Sequence, residues 1–306
     1  MKFTIYQESR PGKRQNNEDR VAYCYSRNAL LMVIADGMGG HFYGEVASQI
    51  AVQTLVEAFK REARPRIRDP FLFLQKGVLN AHYAIGDFTQ TRRLNDSPRT
   101  TCVACIVQDN IAYWAHVGDS RLYFLRGGRI LHKTRDHSRL QQLMEKGLIN
   151  ERQAAIHPER NKIYSCLGGP ARPEIDFSRK TPLESGDIML LCTDGVWGVL
   201  SDRSILSAVR AGDLRRSVPE LFDRVEEKGG AGADNFSVVA VRWEESYVDL
   251  SLDDTSFIST LAMNRDFVTT KLDIFGQDPN YKAELTNEEI ERAVAEIHAA
   301  IQKYSK

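Results

Sequence analysis

The 306-residue sequence lacks any hydrophobic run long enough to cross a bilayer. Its longest purely apolar stretch, ALLMVIA at residues 29–35, is far short of the roughly 20 residues a membrane-spanning helix needs. The N-terminal MKFTIYQESRPGKR has no apolar signal core, so a cytoplasmic protein without a membrane partner is expected. Net charge is also missing: 41 Lys and Arg balance 41 Asp and Glu. No global field draws the chain to nucleic acid or to anionic lipid, and any electrostatic function must be local. Cysteine is sparse and odd in number, at five. Cys102 and Cys105 have CxxC spacing, but RTTCVACIVQ reads as a strand, where residues three apart face opposite sides and can share neither a bridge nor a metal. Buried structural thiols are expected. There is no HExxH and no Cys/His set of zinc-binding spacing, which disfavours zinc. Internal repeats and low-complexity tracts are absent as well.

What is present is a mixture of strands and amphipathic helices, with 42% hydrophobic and 27% charged residues, enough for one large domain plus an appendage or for two modest domains. DRVAYCYS and NALLMVIAD read as strands, the second apolar throughout and hence buried on both faces. From Gly44 the period becomes helical, through Ala47, Ala51, Leu55, Ala58 and Phe59. A second helix carries Phe71, Leu74, Val78, Ala81, Ile85 and Phe88, with Pro70 suited to its first turn. Between the two, the basic KREARPRIRD reads as a solvated loop. TTCVACIVQ, NIAYWAHVGD and RLYFLRGGRILH then suggest an antiparallel meander, and SRLQQLMEKGLI a short helix. The strand DIMLLCTD precedes two helical segments, the later one stopping at Gly229 and Gly230. NFSVVAVRW is the last strand. Strands broken by helices without a βαβ rhythm predict an α+β layered domain over residues 1–243. In the remainder, 244–306, Thr286 and Glu289 have capping-box spacing ahead of an amphipathic helix at about 285–304. Its polar face is not basic, so it is expected to pack on protein rather than on a membrane.

Carboxylates recur at strand ends. Glu18 and Asp19 precede the first recognised strand, Asp36 ends the second in IADGMGG, Asp119 sits at the turn VGDSR, Asp194 ends LLCTD, and Asp234 opens the last strand in ADNFS. One Asp-Gly after a strand is ordinary turn chemistry. Several converging are not, because two charges about 4 Å apart repel by roughly 4 kcal/mol at an effective dielectric near 20. A domain with a total stability of about 5–15 kcal/mol tolerates such a cluster only with protons or bound cations. An all-oxygen site suits Mg²⁺ or Mn²⁺.

Sequence spacing alone does not show that these groups meet. GKRQNNEDR, ADGMGGHFYGEVAS, TTCVACIV, AHVGDSRLYFLRGG, TRDHS, HPERNKI, CTDGVWGVLSD and ADNFSVVAV together resemble, in order, the metal-dependent serine/threonine protein phosphatases of the PPM or type 2C family in their bacterial form. The resemblance implies a four-layer α-β-β-α sandwich of two antiparallel sheets flanked by helices, with a dinuclear Mn²⁺ or Mg²⁺ centre at one end. Carried over by position, Asp36 resembles the carboxylate bridging two metals and Gly37 a carbonyl ligand. Glu18 resembles a ligand of the second metal, with Asp19 orienting coordinated water. Asp194 and Asp234 match ligands of the first metal, and Asp119 with Asp194 a weaker third site. Arg14 matches the guanidinium that grips substrate phosphate. The implied reaction is hydrolysis of protein phosphoserine or phosphothreonine by a metal-activated water, without a phosphoenzyme. The implied partners are phosphorylated proteins and a cognate serine/threonine kinase system, with no nucleic acid.

The chain departs from the family at Met38, where eukaryotic members carry His directly after Asp-Gly. His41 is then a candidate general acid, as is a metal-bound water. His116 stands where Asn is common, and Gly198 where an acidic residue often stands. A cysteine-dependent alternative rests on Cys166 and Arg172 in SCLGGPARP, but Pro170 removes one cradling N–H. A ligand-retaining yet non-catalytic phosphoprotein-binding module is the other alternative.

Overall fold

The computed structural model describes residues 1–38, 43–155, 157–209, 213–244 and 258–259. Their architecture is organised by β3 (Ala29–Met38), which is buried along nearly its whole length. Its odd-numbered residues Leu31, Val33 and Ala35 join a core shared with helices, while Leu30, Met32 and Ile34 point into a second core between two sheets. An apolar run without alternation is what a strand covered on both faces requires. The expectation for NALLMVIAD is met, although β3 continues past Asp36 through Gly37 and Met38 by pairing with β4 (Arg99–Thr100).

The sheet that contains β3 runs in the order β10 (Thr181–Pro182), β6 (Ile111–Val117), β5 (Cys102–Gln108), β3, β2 (Asp19–Tyr25), β13 (Ile258–Ser259), with β9 (Asp176–Phe177) also on β6. The facing sheet runs β1 (Phe3–Arg10), β12 (Phe236–Trp243), β11 (Ile188–Cys192), β7 (Arg121–Arg126), β8 (Arg129–Lys133). All their pairings are antiparallel. Helices α1 (Gly44–Glu62) and α2 (Pro70–Arg92) cover the outer face of the first sheet. The outer face of the second is covered by α5 (Asp194–Trp197), α6 (Asp202–Val209) and α7 (Leu214–Gly229). Two short helices, α3 (Arg139–Glu145) and α4 (Glu151–Ala155), lie in the long β8–β9 connection. This is the four-layer α-β-β-α sandwich the sequence led us to expect. Asp69 caps α2 by accepting from the Leu72 N–H at 3.1 Å, with Pro70 following at the first helical position, where its missing N–H costs nothing.

Several local expectations are corrected. The meander breaks between β6 and β7: at Gly118, with φ of +98°, the chain turns and crosses to the other sheet, so these strands do not pair. The third run is itself a hairpin, β7–β8, turning at Gly127 and Gly128 with φ of +56° and +72°. β1 is absent from the sequence reading because FTIYQESR is only partly buried and shows weak alternation, yet it pairs with β12 along its whole length. Three helices rather than two follow β11. The loop expected to be solvated does expose Arg61, Arg64, Arg66 and Arg68, but it is also anchored: Ala63 and Ile67 are buried, and Gln108 bonds both the N–H and the carbonyl of Ile67. Cys102 and Cys105 face different cores as expected, and all five thiols are free. The expected C-terminal helix lies outside the described residues; of the extension, Ile258 and Ser259 add β13 to the edge of β2. Among the described residues no helix is long and apolar enough to cross a membrane.

Because Ile34 is fully buried between the sheets, Ile34→Ala is expected to lower unfolding free energy by about 2–5 kcal/mol. Urea denaturation should show it as a lower midpoint with the slope unchanged.

Candidate metal centre

At one end of the sandwich the inward-facing rows change from apolar to polar. On β3 the row Leu30, Met32, Ile34 continues to Asp36, and on β2 the row Tyr25, Tyr23, Val21 continues to Asp19. By the same two-residue period, Leu191 leads to Thr193 and Val239 to Ser237. Asp19 and Asp36 are direct cross-strand partners. Both point between the sheets because the hydrophobic pattern fixes the register.

Asp19 is fully buried. Its Oδ2 accepts from Thr193 Oγ1 at 2.8 Å and Ser237 Oγ at 2.7 Å, while its Oδ1 is buried with no hydrogen-bond partner. Such an oxygen in a native core calls for a water or a cation. Asp36 is held through its backbone, with its N–H donating to Thr101 Oγ1 at 3.0 Å and its carbonyl accepting from Thr100 Oγ1 at 2.8 Å. Its side chain is thereby left for the cluster.

Two loops deliver the remaining acids. Thr193 follows β11 as the N-cap of α5, which Asp194 opens, while Asp234 lies just ahead of β12. A Cβ on Gly195 would run into the Asn235 carbonyl, so glycine there lets the Asp194 and Asp234 loops approach each other. Asn235 in turn accepts from the Glu18 N–H at 2.9 Å and donates to the Pro11 and Asn16 carbonyls. Glu18 reaches the opposite wall, where a Cβ on Gly44 would strike its Oε2. The Glu18 carbonyl accepts from Ser48 Oγ at 2.5 Å and from the Gly37 N–H at 3.2 Å, so α1, β3 and the β1–β2 loop meet at one point.

The charge balance is heavily negative. Burial, then Glu45 and Asp234, raise the Glu18 carboxyl to about 7 against the pull of Arg14. Burial raises Asp19 to about 7 although Ser237 and Thr193 oppose it. Asp194 rises to about 6 through burial and Asp234. Asp36 is driven well above the ordinary range by burial and then by Asp19, Asp194, Asp119 and Asp234. Asp119, buried behind the Gly118 turn, rises through burial and Asp194. Three guanidiniums border the cluster, Arg121 beside Asp119 being spent on Asp136. Arg14 pairs with Asp234 through two contacts of 2.8 and 2.9 Å and stays largely exposed. Arg20 is spent on Gln49 and on the Asn17 and Asp19 carbonyls.

Glu18, Asp19, Asp36, Gly37, Asp119, Asp194, Asp234 and Arg14 are therefore brought together; His41 lies outside the described residues. The donor set is hard oxygen, over-supplied with negative charge and holding an orphaned carboxylate oxygen, which fits divalent Mg²⁺ or Mn²⁺. Thr193, Ser237 and Asn235 were missed from the sequence. Strand parity was the available signal for the first two; Asn235 had none.

A second titratable group, His116, His137 and Asp176, places ligand-type atoms within 4.8 Å of one another. Its hydrogen bonds assign it otherwise. The Gly118 N–H donates to His137 Nδ1 at 3.3 Å, so the proton of a neutral ring sits on Nε2, 3.5 Å from Asp176 Oδ2. His116 Nε2 donates to the Arg135 carbonyl at 2.7 Å. These rings pin the β6–β7 turn that carries Asp119. Cys166 is no activated thiol, since burial pushes its pKa up where a nucleophile needs it down.

Carboxyls with raised folded-state values bind more protons than the unfolded chain, so stability of the metal-free protein falls as pH rises. The window opens near the ordinary carboxylate range of about 4 and closes at about 6 for Asp194 and about 7 for Glu18 and Asp19. Calorimetry in chelator should give a higher Tm at about pH 5 than at about pH 8.

Comparison with known proteins identifies the family. The family description Protein phosphatase 2C matches residues 7–235. A serine/threonine phosphatase, stp, of Listeria monocytogenes is 30% identical over 232 residues, 74% of this chain and 90% of that protein. The crystal structure of the Mycobacterium tuberculosis serine/threonine phosphatase PstP/Ppp is 33% identical with a TM-score of 0.69, covering 79% of this chain and 99% of that one. The PstP catalytic domain in complex with two manganese ions is 31% identical with a TM-score of 0.67, again covering 79% and 99%. The chain belongs to the protein phosphatase 2C family, the metal-dependent protein serine/threonine phosphatases.

Proposed function

We propose that the carboxylate cluster at the end of the sandwich hydrolyses phosphoserine and phosphothreonine in proteins. The observation that carries this reading is the convergence of Glu18, Asp36, Asp194 and Asp234 from four separate chain segments onto one pocket whose charge is uncompensated. Glu18, Asp36, Asp194, Asp234 and the Gly37 carbonyl would hold two Mn²⁺ or Mg²⁺ ions, and Asp119 with Asp194 a third. When bound, the cations supply positive charge toward the phosphoryl oxygens and make water acidic enough to attack near neutral pH.

The remaining work falls to the chain's own groups. Arg14 stands at the mouth, exposed and already oriented by Asp234, where its planar fork can bind two phosphate oxygens. Asp19, fixed through Oδ2 by Thr193 and Ser237, offers Oδ1 as an acceptor that orients the attacking water. His41, three residues beyond Met38 in sequence, is proposed to return a proton to the leaving serine or threonine oxygen, alongside solvent. Five free thiols, four of them buried, suit a reducing compartment, and we place the enzyme in the cytoplasm. A serine/threonine kinase of the same signalling system is the implied source of its substrates.

Phosphothreonine-peptide hydrolysis should require added Mn²⁺ or Mg²⁺. Asp36→Asn should lower kcat by at least about a hundredfold, whereas a Cys166→Ser enzyme should keep full activity. Metal-independent turnover, or turnover lost with Cys166, would refute the assignment. His41→Ala should slow the phosphopeptide about a hundredfold or more yet spare p-nitrophenyl phosphate, whose leaving group needs no proton. Equal losses on both substrates would remove His41 from the acid role.

A further inference from the structure

Away from the metal centre, an open cleft of about 660 Å³ lies between β8 and the segment 176–182. Among the described residues these are the outer edges of the two sheets: β8 is paired only with β7, and β10 only with β6. The cleft walls are aromatic and apolar, with Leu131 44% and Phe177 41% exposed. Its rim is basic. Arg126, Lys133 and Arg135 are balanced by Asp187 and Glu184, by Asp202 and by Glu145 respectively. Arg179 and Lys180 stand in the bulge between β9 and β10, both exposed, and make no ion pair among the described residues. Asp176 is the one acidic residue of the lining. Residues 1–243 as a whole carry seven more basic than acidic side chains.

The near end of the cleft is set by His116, three residues before Asp119. Three residues span at most about 10 Å, so the cleft begins within about 10 Å of Asp119. An extended polypeptide with its phosphorylated residue at the carboxylates would enter the cleft about four residues further on. Leu131 to Arg135 line one wall, long enough for about five residues running alongside. A free strand edge presents N–H and carbonyl groups at the repeat of another peptide backbone. A nucleic acid has no such backbone repeat to pair with that edge.

We propose that this cleft docks an extended acidic stretch of the phosphoprotein substrate, beginning about four residues from the phosphorylated side chain, with Arg179 and Lys180 as its charge-reading residues. The link to the phosphorylated residue rests on the phosphatase reading above; the binding itself does not. The full chain and an Arg179→Ala/Lys180→Ala variant would be compared on phosphothreonine peptides carrying four Glu or four Gln from the fourth residue onward, on either side. We expect the Glu peptide on one side to have about tenfold higher kcat/KM, through KM, from two new ion pairs. In the variant the preference should shrink to about twofold or less, with p-nitrophenyl phosphate turnover unchanged. A fluorescein-labelled, unphosphorylated Glu peptide without added metal should raise anisotropy with the native chain and not with the variant, an arm that stays readable if no hydrolysis occurs.

Equal kcat/KM for the Glu and Gln peptides on both sides overturns the proposal, as does a preference that survives in the variant. So does a labelled oligothymidylate that displaces the Glu peptide at equal concentration. Absence of peptide binding by the native chain also overturns it, whether the cleft is unused or is filled by the acidic residues of 244–306 or by a second copy.

Discussion

Mutual repulsion among buried carboxylates is the constraint on which the rest of this structure depends. Asp19 and Asp36 face each other across two strands, and Asp194 adds its like charge beside both. The three peripheral guanidiniums, Arg14, Arg20 and Arg121, cannot neutralise the set of six carboxylates that also includes Glu18, Asp119 and Asp234. A fold stable near neutral pH must either keep some of these groups protonated or bind cations between them. The scaffold keeps them together because the inter-sheet core fixes strand register, and a one-residue slip would turn every inward residue outward.

The polar partners show how the cluster is preorganised rather than merely tolerated. Thr193 and Ser237 spend their hydroxyls on one oxygen of Asp19 and leave the other free. Thr100 and Thr101 satisfy the backbone of Asp36, and Asn235 ties Glu18 to the loop that carries Asp234. Positions held by neighbouring hydrogen bonds lose little freedom when substrate and cations arrive, which is where electrostatic catalysis gains its advantage. The cleft between β8 and the 176–182 segment follows a different logic. It lies where two sheet edges stay unpaired, and its exposed basic side chains make it a surface for recognition rather than chemistry.

Much of the architecture was legible from local pattern. The unbroken apolar run of β3, the helical stripes of α1 and α2 and the Asp69–Pro70 start of α2 each carry their own signal. β1 was not legible, because its alternation is weak and its stability comes from pairing with β12 more than two hundred residues away. The crossing from β6 to β7 was misread as a hairpin because VGDSR has ordinary turn chemistry; which sheet the next strand joins depends on Leu122 and Phe124 packing into the inter-sheet core.

The sequence by itself determined the chemical type of the site, oxygen donors at strand ends and no soft ligand set, because residue identity and two-residue periodicity are local properties. Only the tertiary structure decided that these carboxylates share one pocket, that Arg14 lies at its mouth against Asp234, and that Thr193, Ser237 and Asn235 hold the set in place. Those facts arise from pairings between distant segments, which no local pattern encodes. The same holds for the basic cleft, whose walls come from two different sheets and become neighbours only when the sheets stack.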